Sequence, residues 1–592
     1  MPGQAGDHLA ATDKCAAAGS FIKAHLAQTR WGMVAVQSVR ESRLVTLLTG
    51  FLMRAITLIL MIAMTLIGAG IRLRALPVAS MPAPAAAGPP ASPAASQVWH
   101  VQTRDARTEA IVPRAEMLDP AKIAVIVIDP WNYHWCMTWT EQAGGMIPRL
   151  NQALRGARKL GMPVIWAPTD VASMYSGVPQ RERALAVPYV PLPNVRAVTC
   201  GFRTPFGPCH CGPGISCLPN YGHDGMPSDI DLADSDYIAS GTQEVYSICK
   251  KLGITHLIYT GGAVNLCLTG KPEGLVPMYA TGIDGWMARD LAEAWTRYDP
   301  ARGFTSTKGN EASTVDVERA GIPTLHFADE LKRRGLWDEN AIIEPVRITP
   351  AGRPRRPYFF ETEVKVTLEL PNIPGVEIRY TTDDTEPTAK STRYEGMLNL
   401  TRTTTLRACG FKDGKRVAIE TSGYWVKLPA VPAKPEVYLD QVKALPDLYG
   451  QVNAATYACL WHPTTNVSYE GRPLRIRGHT YEKGLGMRAP AYARYELRPE
   501  WKRFVALAGV ADNLLDAELG RNIASHPSVN FNIYIDGKLA GQSPVMRISQ
   551  APWRFDVPIP AGSRIITLSA TDAGDRSPYD LANWVEAGFV TK

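Results

Sequence analysis

Read for its apolar and polar positions, the chain changes period twice. From about Ile123 short unbroken apolar runs alternate with helical stripes, and after about Glu344 the period drops to two. IAVIVID (Ile123–Asp129) and PVIWAP (Pro163–Pro168) read as strands buried on both faces of a parallel sheet. Between them Ile147, Leu150, Leu154 and Ala157 fall on one helical stripe. A helix over Thr242–Leu252, a strand over His256–Thr260, an apolar segment at Ile283–Ala288 and a short strand near Thr324–Phe327 complete the pattern. The prediction is multi-domain α/β plus all-β: a doubly wound, Rossmann-like layer followed by two β-sandwiches.

Before that layer, Ala55–Gly70 carries no charge and is flanked by Arg54, Arg72 and Arg74. Such a run suits the core of a signal peptide, or an anchor if it extends back through Leu44. Leu76–Gln97 is rich in Pro, Ala and Ser and reads as an extended linker. The expected divisions are residues 1–75 for signal or anchor, 76–115 for linker, 116–343 for the α/β layer, and 344–430 and 431–592 for the sandwiches. At 592 residues several cores are required. A net charge of +7 without a dense basic stripe argues against nucleic acid as a partner.

Candidate chemistry sits in HLIYTGGAVNLCLTG (His256–Gly270), where a strand meets a glycine pair and Cys267 follows. A thiol at a helix N-terminus has a lowered pKa and acts as a nucleophile; a lone cysteine is also a small hydrophobe. In a doubly wound sheet the ligand crevice lies outside the carboxyl ends of the strands. That topology places Asp129, which ends the first strand, in the same crevice as Cys267. Trp131, His134 and Cys136 follow Asp129 and either line the crevice or form a packed aromatic turn.

Asp129 in VIVIDPWNYHWC, with GGAVNLC and Arg289-Asp290 downstream, resembles the isochorismatase-like cysteine hydrolase family over about Glu116–Leu331. The resemblance implies an aspartate base at Asp129, a nucleophile at Cys267, a cis peptide at Ala263–Val264, and an oxyanion hole from the N–H groups of Val264 and Cys267. It also implies a lysine shortly before the helix near Thr242, where DIDLADSDYIAS holds Asp229, Asp231, Asp234 and Asp236 instead. Lys271, four residues after Cys267, either reaches the thiol or is a solvated charge. The stretch after the second strand, PTDVAS, does not support a metal-dependent variant, so no metal or cofactor is assigned.

An insertion contains Cys200, Cys209, Cys211 and Cys217, with His210 and His223 nearby. Its spacing lacks the paired knuckles of zinc motifs, and disulfides are expected in an exported chain. In the first sandwich VEIRYTTDDTEPTAKSTRYEG resembles the chitobiase/β-hexosaminidase C-terminal type module, with Asp384 where that motif has glycine. In the last, YEKGLGMRA, FNIYIDGKL and TDAGDRSPYDLANWVEAGF resemble the NPCBM type of carbohydrate-binding module. Trp461, Tyr469 and Trp553 are candidate sugar contacts there, Trp584 is a candidate core residue, and Asp575 and Asp580 either bind calcium or cap turns.

Together these features imply an extracytoplasmic bacterial protein, secreted, periplasmic or membrane-anchored. The leading expectation is a cysteine hydrolase cleaving a small amide, or a related C–N or vinyl-ether bond, at a glycan surface. The alternative is a non-catalytic glycan-binding or envelope protein with a degenerate hydrolase domain. The expected partners are a small-molecule substrate and a carbohydrate or cell-envelope glycan.

Overall fold

The computed structural model describes residues 96–193, 195–204, 210–211, 224–445, 463–517, 525–575 and 579–591. The apolar segment Ala55–Gly70, the residues 1–75, Trp461, Cys209, Cys217 and His223 lie outside them.

An eight-stranded sheet carries the first half. Its strands are β1 (Gln97–Arg104), β2 (Ile111–Leu118), β3 (Ile123–Ile128), β4 (Val164–Ala167), β5 (Tyr237–Ile238), β6 (His256–Gly262), β7 (Asp284–Glu293) and β8 (Thr324–Leu325). The order is β2-β1-β8-β7-β6-β3-β4-β5. From β8 to β5 neighbouring strands are parallel, whereas β1 runs antiparallel to both β2 and β8. The sheet is therefore mixed, and the hairpin β1–β2 occupies residues expected in part to be linker. Its reading failed because Pro113 and the charges of β2 hide the alternation, while Trp99 and Val101 of β1 are buried.

The unbroken run of β3 has the predicted cause. Ile123, Val125 and Val127 join one apolar core, with α2 (Ile147–Lys159, after α1 at Met137–Gly145) and the helix at Phe327–Arg333. Ala124, Ile126 and Ile128 join the opposite core, with the helices Gly241–Leu252 and Ser306–Arg319. Each buried Ile or Val side chain is worth about 1.5–3 kcal/mol, so covering both faces stabilises the central strand heavily. One crossover after another thus brings the ends of β3, β4 and β6 together.

The aspartates expected to stand in place of a lysine are structural where the fold explains them. Asp236 is 1 % exposed, pairs with the Arg158 fork at 3.0 and 2.6 Å, and accepts the Trp166 indole N–H at 2.9 Å. Asp231 pairs with Arg155 at 2.9 Å.

Residues 347–427 form two small sheets, one centred on Thr404–Lys412 between Glu377–Thr381 and Thr421–Lys427, the other on Val364–Glu369. Asp384 takes φ 64°, the left-handed conformation that a glycine would supply there. The last sandwich pairs a sheet built on Leu581–Val590 and Arg503–Val510 with one built on Ile565–Thr571 and Ser528–Ile535. Trp584 is fully buried between them, edge-on to Phe531 at 5.1 Å. No helix of the described residues is long and apolar enough to cross a membrane.

Candidate active site

Asp129 follows the last residue of β3, 1 % exposed and with φ 44°. Its Oδ1 accepts the N–H of Thr169 at 3.1 Å, beyond the end of β4. Gly261 and Gly262 end β6 so closely against β3 and β7 that side chains do not fit. A Cβ on Gly261 would lie 2.1 Å from the Ile128 carbonyl, and one on Gly262 would lie 2.8 Å from the Glu293 carbonyl and from Trp139. The cis peptide falls at Gly262–Ala263, one residue before the expected Ala263–Val264 bond.

Beyond it, Val264–Leu268 forms a single π-helical turn, with Leu268 N–H donating to the Ala263 carbonyl at 2.9 Å. Asn265 ties this turn to the chain after β7, exchanging two 2.9 Å hydrogen bonds with the Trp295 backbone. Cys267 is the fourth residue of the turn rather than the first of an α-helix. The expected dipole-lowered thiol is therefore not found. Burial pushes the Cys267 pKa well above the ordinary thiol range, as do the Asp129 charge and the hydrogen bond between the two; Lys271 acts in the opposite direction.

Asp129 itself is raised to about 6, mainly by burial, while Lys271 and the Cys267 hydrogen bond pull it down. Lys271 is the lysine that approaches Asp129. Its Nζ lies 3.4 Å from Asp129 Oδ2, makes a closer ion pair with Asp170, and stands 5.3 Å from the Trp131 ring centroid. Burial opposes its charge, but Asp129, Cys267 and Asp170 outweigh burial and raise its pKa. After Lys271 the chain makes only the short helix Leu275–Ala280, with Pro277 in its first turn.

Two supporting residues went unread in the sequence. Glu273, fully buried, accepts the Thr169 hydroxyl and the Gly241 N–H, the latter at 3.0 Å, and so fixes the residue whose amide holds Asp129. Trp295 stands 5.9 Å from Trp135 in an edge-to-face pair and packs in the cluster that Cys267 borders. Glu273 lay in plain view two residues after Lys271, but no local pattern links it to Thr169.

The structure sorts the remaining candidates. Trp131 belongs to the site, beneath Lys271. His134 packs among Trp131, Trp135 and Trp139, with ring separations of 5.7, 3.6 and 4.9 Å. Its Nδ1 accepts the Cys136 N–H at 3.0 Å, which makes these two the framework of the aromatic turn. Ala263 and Val264 are buried at the start of the π turn.

Cys200 is a free thiol, raised to about 11 by burial, so the disulfide expected of it does not form. Its segment is pinned by a carboxylate instead, Asp316 accepting the Arg203 and Thr204 N–H groups at 3.0 and 2.9 Å. Cys211 Sγ lies 3.0 Å from the Thr138 hydroxyl. In the last sandwich, Trp553 is partly buried and its ring lies 6.2 Å from Phe359, at a seam rather than on an open face. Tyr469 is also partly buried. Asp580 is buried and accepts the N–H of Ser528, the first residue of the strand Ser528–Ile535, at 2.7 Å, and Asp575 takes the Ser528 hydroxyl, so both bind a distant strand end instead of a turn of their own.

A cavity of about 800 Å³ opens between α1, α2 and the middle module, bounded by Trp131, Arg149, Glu293 and Arg347 and not by Cys267. Asp129, Cys267 and Lys271 do not line that cavity.

Comparison with known proteins identifies the C-terminal parts. Residues 442–590 match the NPCBM/NEW2 domain, and residues 357–421 match the chitobiase/beta-hexosaminidase C-terminal domain. The chain thus carries two modules of carbohydrate-associated families. A protein of Renibacterium salmoninarum named as an endo-alpha-N-acetylgalactosaminidase is 28 % identical over 121 residues; the match spans 20 % of this chain and 7 % of that protein's length. Among solved structures, a CBM51 module of a Clostridium perfringens GH95 protein, in complex with methyl-galactose, is 21 % identical and matches 26 % of this chain and 99 % of its own, with a TM-score of 0.21. A cysteine hydrolase from Pseudomonas syringae pv. phaseolicola is 13 % identical over 37 % of this chain and 96 % of its own, with a TM-score of 0.23.

Proposed function

We propose that the α/β layer is a cysteine hydrolase of isochorismatase-like chemistry, held at glycan surfaces outside the cytoplasm of a bacterium by its C-terminal modules. The observation that carries this reading is the convergence of Cys267, Asp129 and Lys271 behind the Gly261–Gly262 pair. Asp129, raised to about 6, is ionised at neutral pH yet basic enough to exchange protons. Cys267 starts as a thiol, so proton transfer accompanies attack instead of preceding it.

Sγ bonds to an amide carbonyl carbon as its proton passes to Asp129. Backbone N–H groups of Val264 and Cys267 receive the oxyanion, and the Lys271 charge restrains the growing negative charge beside it. The C–N bond then breaks, the amine leaves with the proton held by Asp129, and a thioester remains on Cys267. Water, deprotonated by Asp129, hydrolyses the thioester to a carboxylic acid and restores the thiol.

The test is the pH profile of Cys267 alkylation in wild type and Asp129→Asn, alongside amine release from a panel of small amides. Removing the Asp129 charge is expected to lower the thiol pKa, and turnover is expected to fall about 10²–10⁴-fold. A Cys267 indifferent to Asp129 would sink the reading. A second reading, a non-catalytic glycan-binding protein, is favoured by one observation: the family matches fall on the C-terminal modules. Retention of the full chain on insoluble polysaccharide, without amide turnover, is its expected signature.

A further inference from the structure

The loop that leaves β3 after Asp129 is held from outside the α/β layer. Arg356, in the segment before the strand Tyr358–Phe360, donates from one guanidinium nitrogen to the His134 carbonyl at 3.2 Å and reaches the Trp135 carbonyl at 3.4 Å. The same guanidinium lies 4.5 Å from the Tyr133 ring centroid. Tyr133, 4 % exposed, packs into the core cluster of the last sandwich, so the loop is gripped by both C-terminal modules.

Neighbouring contacts extend the grip to α1. The Ala351 N–H donates to the Thr138 hydroxyl at 2.9 Å, Gln142 donates to the Thr349 hydroxyl at 2.7 Å, and the Tyr358 hydroxyl donates to the Cys211 carbonyl at 2.8 Å. One apolar cluster, bordered by Cys267, runs without a break from Trp131, Trp139 and Ala263 to Phe360, Val366 and Trp425. Residues 91–592 accordingly form one compact unit instead of separate bodies.

Resting on the hydrolase reading, we propose that Arg356 is a positioning residue: by fixing consecutive backbone carbonyls of the loop it holds Trp131 against Lys271, so the C-terminal modules complete the active site as well as binding glycan. Trp131 is tied to the part of the loop that Arg356 holds: its ring stacks on that of His134, centroids 5.7 Å apart, and the His134 carbonyl is the one Arg356 takes at 3.2 Å. It is the second residue after Asp129, and the loop around it has no regular secondary structure until α1 begins at Met137. A guanidinium suits the task because one of its nitrogens reaches the carbonyls of two adjacent residues while its planar face lies over Tyr133. Cys267 is partly exposed as it stands, and releasing the loop lets more water reach it and relaxes the burial that raises its pKa.

The test uses the full chain with Arg356→Met and Arg356→Lys. The readout is the rate of Cys267 alkylation by iodoacetamide as a function of pH, and folding is checked by the thermal transition. In Arg356→Met the alkylation profile is expected to move toward the ordinary thiol range by about one unit, a tenfold faster reaction on the rising limb. Arg356→Lys is expected to fall between Met and wild type, because it keeps a charge near Tyr133 and loses the planar face that lies over the ring.

A folded Arg356→Met with the wild-type profile overturns the proposal. If that variant fails to fold, Arg356→Lys decides in the same way. The hydrolase reading fails separately, on indifference of Cys267 to Asp129→Asn in a chain whose Arg356 is intact.

Discussion

Lys271 Nζ stands 3.4 Å from Asp129 Oδ2, across the crevice formed by the ends of β3 and β6. The lysine arrives from the segment after Cys267 rather than from the segment before the helix Gly241–Leu252. A charge acts through distance and not through chain position, so a lysine from either side serves provided that it reaches both the thiol and the carboxylate.

Substituting Lys271→Met tests that role. Lys271 lowers the pKa of both Asp129 and Cys267, so its loss is expected to raise both. Alkylation of Cys267 at pH 8 should slow about tenfold, one pKa unit in thiolate fraction, while Lys271→Arg keeps most of the wild-type rate. Equal rates in Met and wild type would return Lys271 to a solvated charge.

Glu273→Ala leaves the Thr169 hydroxyl and the Gly241 N–H without their acceptor. A loss of about 1 kcal/mol is expected for each of these half-buried hydrogen bonds, measurable by denaturant unfolding. The acid limb of any pH–rate profile should shift as well, because Thr169 also holds Asp129. A stability change without that shift would confine Glu273 to folding.

Stability should respond to pH through groups of opposite sign. Asp129 and Asp580 are raised by burial to about 6 and about 7, so the native state keeps protons that the unfolded chain releases. Their contribution is present below about pH 4, near the unfolded carboxylate pKa, and is lost as pH rises through 6 to 7. Asp580→Asn is expected to flatten the upper part of that decline in a pH series of thermal unfolding.

His210 acts the other way. It is 1 % exposed, bonded to Gln142 at 2.8 Å, and its pKa is lowered to about 4, chiefly by burial. Its contribution is present above pH 6.5 and is lost toward pH 4, at about 1.4 kcal/mol per unit for one proton. His210→Gln should remove that acid sensitivity, and an unchanged slope would mean that the histidine titrates freely.

Trp584 fills the last sandwich between Phe531 and Phe555, at ring separations of 5.1 and 5.2 Å. Trp584→Ala is expected to cost about 3–5 kcal/mol and to lower retention on polysaccharide, while Cys267 alkylation reports whether the damage reaches the site.

The sequence by itself determined the buried strands, the glycine pair, the pairing of Asp129 with Cys267 and the character of both C-terminal modules. These are local matters: a run such as IAVIVID can be buried on both faces only in the middle of a sheet, and a side chain at the end of a parallel strand points into the crevice. The tertiary structure alone decided which lysine meets Asp129, that Glu273 anchors Thr169, that Cys200 stays a thiol, and that Arg356 grips the loop beyond Asp129. Each depends on residues brought together by crossovers or by the packing of one module on another, and their meeting leaves no period or motif in the chain. The thiol pKa belongs with them, because burial and a neighbouring carboxylate, not position in a turn, set its direction.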